Sequence, residues 1–205
     1  DVTVIGDPVE YRMDGGTLDV GNNLVVGYRH KGIFDHSDGT VTVTGDLQVD
    51  TNTHASATGG GEYVIRDSAN LDIDGTVVLG NTRDAAPAEG TFRVVGSGDD
   101  GMASVDVDGW TQNSVTAQGT GILAVELDGD DPILINVDGD VSFGNGSMLD
   151  LSAPDEPYES AYNGTYRIME WTGTLDNQGL MLAPSVDPAR WSFDLVETGS
   201  GYLEI

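Results

Sequence analysis

Three short stretches of this chain carry oxygen donors at a spacing that could hold a metal ion. They are Asp72-Ile73-Asp74-Gly75, Asp106-Val107-Asp108-Gly109 and Asn136-Val137-Asp138-Gly139. If the three stack as equivalent turns, their carboxylates fall on one corner, where like charges repel unless a cation or water intervenes. Calcium takes roughly six to eight oxygen ligands and suits such a corner. Asp72, Asp74, Asp106, Asp108 and Asp138 are therefore candidate calcium ligands. The bland reading is that Asp before Gly is a turn former. Neither the Asp-x-Asp-x-Asp-Gly loop nor the glycine-rich nonapeptide of calcium-binding repeats is present.

Other chemistry finds less support. His30, His36 and His54 lie in or beside expected loops with no shared spacing, and no HExxH or Ser/His/Asp pattern occurs. Carboxylate pairs can serve glycoside hydrolysis. Cleavage of uronic acid polymers, however, usually needs a basic side chain, and Arg66 and Arg93 stand in separate units. We expect no enzyme, with a polysaccharide-cleaving activity as the lesser alternative. Asp99-Asp100 and Asp128-Gly129-Asp130-Asp131 read as solvated charge runs. Thr40-x-Thr42-x-Thr44 has the spacing of a flat ice-binding face but occurs once, and two Asn-Gly-Ser/Thr sequons begin at Asn145 and Asn163.

Eight Lys+Arg against 35 Asp+Glu give a formal charge of −27, with Lys31 the only lysine. Such a surface repels phosphate backbones and anionic lipid, which argues against nucleic acid and membrane insertion. The plausible counter-charges are metal cations, basic proteins or a salty medium. With 38% hydrophobic residues set at alternate positions, the chain reads as folded rather than as an acidic disordered tail. The absence of cysteine rules out disulfides and thiolate metal sites. No apolar run approaches the length of a membrane helix, and the N-terminus lacks a signal-peptide pattern, so any targeting segment is expected to lie outside this chain.

The element that must position these residues is a repeat. Gly32, Gly61 and Gly90 each stand two residues before an aromatic, Phe34, Tyr63 and Phe92, and the steps are 61 − 32 = 29 and 90 − 61 = 29. A fixed period with alternating apolar runs marks a stacked array. Units near 11–31, 32–60, 61–89, 90–120 and 121–152 each offer three strands of three to five residues. Small, polar loops run from Thr51 to Gly60 and from Asn81 to Glu89. Helical periodicity is nearly absent. Residues 1–152 thus read as an all-β solenoid, a parallel β-helix of about five coils, and the aromatics at 34, 63 and 92 as a core ladder. A β-sandwich is the alternative, kept open by the Asn-Gly and Asp-Gly pairs. From Ala153 the texture changes, and 153–205 reads as a C-terminal β cap, with Trp171, Trp191 and Tyr202 suited to sealing an end.

The pattern Gly-x-aromatic, Gly-Thr-Leu/Val-x-Val, Leu-x-Val-Gly stands as GGTLDVGNNLVVG at 15–27, GTVTVTGDLQVD at 39–50 and NLDIDGTVVLG at 70–80. It resembles the repeats of secreted bacterial β-helix proteins, those with autotransporter-associated strand repeats and those sorted by a PEP-CTERM signal. NGTYRIMEWTGTL at 163–175 is similar to the terminal region of such passengers. The resemblance implies a right-handed helix at or beyond the cell surface and supplies no catalytic residues. Neither a Pro-Glu-Pro sorting element nor an outer-membrane barrel is present in the sequence. The expected role is a secreted structural rod, a matrix or filament subunit that self-associates by strand edges or ends, because both termini are strand-like. The alternative is an adhesin that binds surface glycans through loops 51–60 and 81–89.

Overall fold

A computed structural model of the chain describes residues 2–4, 9–28, 30–50, 60–80, 89–96, 103–112, 120–127, 134–152, 165–188, 192–198 and 200–205. Among them are eighteen strands and no helix. In chain order these are β1 (Val2–Val4), β2 (Val9–Val20), β3 (Leu24–Val26), β4 (Gly32–Val43), β5 (Leu47–Val49) and β6 (Gly61–Ile65). Then come β7 (Asn70–Leu79), β8 (Glu89–Val95), β9 (Ser104–Gln112), β10 (Thr120–Glu126), β11 (Ile135–Val137) and β12 (Val141–Phe143). The last are β13 (Met148–Ser152), β14 (Arg167–Trp171), β15 (Leu175–Asn177), β16 (Met181–Leu182), β17 (Asp194–Thr198) and β18 (Ser200–Glu204).

These strands stack in three columns of parallel pairs, which makes the chain a β-solenoid and not a sandwich of antiparallel hairpins. The first column joins the opening halves of β2 and β4 to β6, β8, β10, β13 and β16. The second joins the closing halves of β2 and β4 to the starts of β7 and β9, then β11 and β14. The third runs β1, β3, β5, the ends of β7 and β9, β12 and β15. The repeat's glycines define the register: Gly32 pairs with Gly61, Gly61 with Gly90 and Gly90 with Gly121.

Strand lengths differ from the expected three to five residues. β2 and β4 each run twelve residues, crossing from the first column to the second without a break in assignment. Gly15, Gly16 and Gly39, with φ of 132°, 83° and 88°, bend the chain there through conformations open to a residue without Cβ. Parallel pairing also continues beyond residue 152, through β13–β16, β11–β14 and β12–β15. It ends where β18 pairs antiparallel with both β14 and β17. Gly201 of β18 lies so close to the Trp171 indole that a Cβ there would fall 2.0 Å from the ring. Trp171 is buried, and Arg167 lies 4.1 Å above the Tyr202 ring.

Alternation places Val, Ile and Leu inside in every column, as in Leu71, Ile73, Val77 and Leu79 of β7. The aromatics form the ladder read from the sequence. Phe34 and Tyr63 stack at 5.0 Å and 5°, Tyr63 and Phe92 at 5.4 Å and 2°, and Trp110 closes edge-on to Phe92 at 5.5 Å. Such pairs add about 0.5–1.5 kcal/mol each beyond their burial. Tyr11 continues the ladder over Phe34 at 4.8 Å but is itself exposed.

Candidate functional site

The five acids singled out in the sequence fall on two neighbouring outward columns. Asp72 and Asp106 are register partners, and Asn136 follows Asp106. This column starts at Asp19 and Thr42 and continues to Glu170. Asp72 and Asp106 are therefore neighbours across one rung, about 4.8 Å in a stacked sheet, and the amide of Asn136 donates to Asp106 Oδ1 at 3.0 Å. Asp74, Asp108 and Asp138 occupy the next column, just past the strand pairs Ile73–Val107 and Val107–Val137. Asp74 and Gly75 together oppose the single residue Asp108, a β-bulge that turns the chain. Asp138 Oδ1 accepts the Thr172 hydroxyl at 2.9 Å. All five are exposed. Among the described residues no three His, Asp or Glu side chains converge into a metal-holding group.

Much of the acid at this corner has a structural partner. Between the second and third columns the link is short throughout: residues 21–23, 44–46, 138–140 and 172–174 separate strands, and within β7 and β9 only Asp74-Gly75 and Asp108 intervene. Asn23 Oδ1 accepts the Asp46 N–H at 2.9 Å, Asp46 Oδ1 accepts the Thr76 N–H at 3.0 Å, and Asp140 Oδ1 accepts the Thr174 N–H at 2.7 Å. Each side chain thus caps a main-chain donor of the next coil, which would otherwise lack a partner at the bend. The N–H and hydroxyl of Thr174 hold the Asp140 carboxyl below the usual carboxylate range.

Basic groups are committed too. Each arginine among the described residues is ion-paired: Arg12 with Asp14 at 2.8 Å, Arg66 with Asp35, Arg93 with Glu62 at 2.8 Å, and Arg167 with Glu170 at 2.5 Å. A groove of about 160 Å³ lies beside the end of the acidic column, lined by Asn136, Val137, Asp138, Glu170, Trp171 and Thr172. Trp171 is 2% exposed, so it offers this groove no open ring face. Loop residues 51–59 and 81–88, His54, and the runs at 99–100 and 128–131 lie outside the described residues.

Two buried polar sites escaped the sequence reading. His36, expected in or beside a loop, is fully buried at the bend of β4. Its Nε2 lies 3.2 Å from the Gly39 carbonyl and its Nδ1 3.0 Å from the Tyr63 hydroxyl. A carbonyl can only accept, so Nε2 carries the proton, and Nδ1 accepts from the phenol. Burial, opposed by the Gly39 carbonyl and the nearby charges of Asp38 and Asp35, holds the imidazole pKa down. The same burial pushes the Tyr63 phenol well up.

The second is Asp50. Its residue is 0% exposed, and neither carboxylate oxygen has a hydrogen-bond partner. Pairing of Val26 with Val49 and of Val49 with Leu79 puts Gly27, Asp50 and Gly80 at one corner of three successive coils. All three have left-handed backbones, with φ of 78°, 51° and 65°. Glycine adopts that conformation freely, whereas aspartate pays for its Cβ. Burial, and then the charge of Glu89, push the Asp50 carboxyl up to about 7. The signal was present in the aligned repeats, LVVG, LQVD and VVLG, as an Asp where its neighbours have Gly.

No protein-family model, curated protein or solved structure matches the chain.

Proposed function

We propose that this protein is a non-enzymatic structural protein of the cell exterior, an acidic rod that joins end to end into a filament or matrix. The winding is right-handed, one coil per repeat, and the same parallel stacking carries on through β16 before β17 and β18 cap the rod. The observation that carries the reading concerns the two ends of the first column. Tyr11 and Met181 are the exposed large hydrophobic residues among those described, 42% and 49% exposed, and they stand on the first and last strands of that column. Among the described residues, β2 is in register in this column with β4 alone and β16 with β13 alone, which leaves the outer edge of each without a strand. An unpaired edge with an exposed apolar side chain is a template for another strand. Two unlike ends that fit each other make a heterologous contact, which propagates into a fibre.

The committed arginines support the non-enzymatic part, since no described guanidinium is free to bind a polyuronate. Sedimentation velocity and electron microscopy test the association. Because the charge of −27 opposes contact between copies, assembly should rise with salt as repulsion is screened. Tyr11→Glu and Met181→Glu should each abolish it. A wild-type chain that stays monomeric at high salt and high concentration would overturn the proposal.

A further inference from the structure

The Asp50 corner carries an inference independent of assembly and of the exposed acidic columns. An ionised carboxylate held away from water without a partner costs several kcal/mol, so native proteins rarely leave one unpaired. Here the strain is doubled, because a glycine would fit the same backbone, as at Gly27 and Gly80 directly above and below. A local rule broken with no structural return marks a functional position.

What would satisfy the site is constrained by its surroundings. The arginines of the described residues are paired elsewhere. A proton would neutralise one oxygen but leave the second oxygen without a donor. Glu89 adds a second negative charge at the same corner, since Gly90 packs against the Val49 carbonyl and the Gly80 N–H. Two acids, set among the Gly60 and Val49 carbonyls that close on Gly27 and Gly90, make a hard-cation environment. The acidic field of the whole chain concentrates cations around it.

We propose that the corner formed by Asp50 and Glu89, between Gly27 and Gly80, binds a calcium ion. The two carboxylates supply the charge, and main-chain carbonyls and water complete the shell. The bound ion cancels the penalty of the buried carboxylate and ties the corner of one coil to the strand that begins at Glu89 two coils on.

The test uses the whole chain, stripped with chelator and titrated with calcium across the roughly micromolar to millimolar range, with calorimetry and melting temperature as readouts. Wild type should bind and melt higher with calcium. Asp50→Gly, which matches its stacked neighbours, should fold, melt at least as high as wild type in chelator, and show neither binding heat nor a melting shift. Glu89→Gln should weaken binding roughly tenfold or more, because affinity follows ligand charge. Asp72→Asn combined with Asp106→Asn should leave the calcium response intact. The proposal is overturned if wild type shows no calcium response, if Asp50→Gly keeps it, or if the Asp72/Asp106 variant loses it.

Discussion

Replacing Tyr63 by phenylalanine should destabilise this protein, although it makes the core more hydrophobic. The rings above and below are Phe34 and Phe92, at 5.0 and 5.4 Å and nearly parallel, so a phenylalanine at 63 keeps the stack. Only the hydroxyl is lost. It donates to His36 Nδ1 at 3.0 Å, in a place where both residues are fully buried and water cannot substitute. Nδ1 cannot satisfy itself by changing tautomer, because Nε2 must keep its proton for the Gly39 carbonyl at 3.2 Å. An unsatisfied buried acceptor costs about 1–3 kcal/mol, and removing the desolvated phenol oxygen returns part of that, so the net loss is about 1–2 kcal/mol. Urea unfolding followed by tryptophan fluorescence at pH 7.5 measures it. The same pair sets a pH dependence. Burial depresses the folded-state pKa of His36, so below its unfolded value of 6.5 the unfolded chain takes up a proton that the native state refuses. The stabilisation is present above that pH and is lost as pH falls through and below it. His36→Gln, which can still donate to Gly39, should flatten this part of the slope between pH 7.5 and 5.5. The reasoning fails if Tyr63→Phe is as stable as wild type, or if His36→Gln leaves the slope unchanged.

Three further substitutions probe other parts of the stack. Gln112→Leu removes the amide that donates to the Gly121 carbonyl at 2.9 Å and the Met148 carbonyl at 2.7 Å, and should cost about 3 kcal/mol by urea titration. Gly201→Ala puts a Cβ about 2 Å from the Trp171 indole. It should displace β18 and change the tryptophan emission before global unfolding. Arg66→Met strips the partner from Asp35, which is 8% exposed and already has one oxygen without a donor. Because the arginine side chain is one-third exposed, the loss should be modest, about 1–2 kcal/mol, and seen as a lower urea midpoint.

The period was legible because it is a register. Glycines 29 residues apart in sequence meet as Gly32, Gly61 and Gly90 in space, and the side chains between them alternate with the strand pleat. Strand length was not legible, since Gly15-Gly16 and Asp38-Gly39 look like chain breaks. In the fold a parallel neighbour keeps pairing on both sides of each bend. His36 was misread for a related reason. Its neighbours Asp35, Ser37 and Asp38 are polar, yet the bend turns its ring inward toward a hydroxyl one coil away. The acidic turns recur in the sequence and stack in the fold, Asp72 beside Asp106 and Asp106 beside Asn136. Their division into two columns follows from the two-residue offset within each turn, Asp72 to Asp74 and Asp106 to Asp108, and the bulge at Asp74-Gly75 lies in the second of those columns. Asp50 needed the aligned repeats and also the knowledge that its corner is closed to water.

The corner of one to three residues between the second and third columns has a consequence for how such a molecule can vary. Between the third column and the first, the connection ranges from three residues at 178–180 to eleven at 50–60, but this one hardly changes. The Asn23, Asp46 and Asp140 caps each couple one turn to the next along that edge, at three places. The edge therefore acts as a ruler with a fixed graduation. Insertions elsewhere alter what the rod displays at a given height without changing the height. Surface chemistry and axial pitch are thus separable, and the first can diversify freely while the second stays in phase.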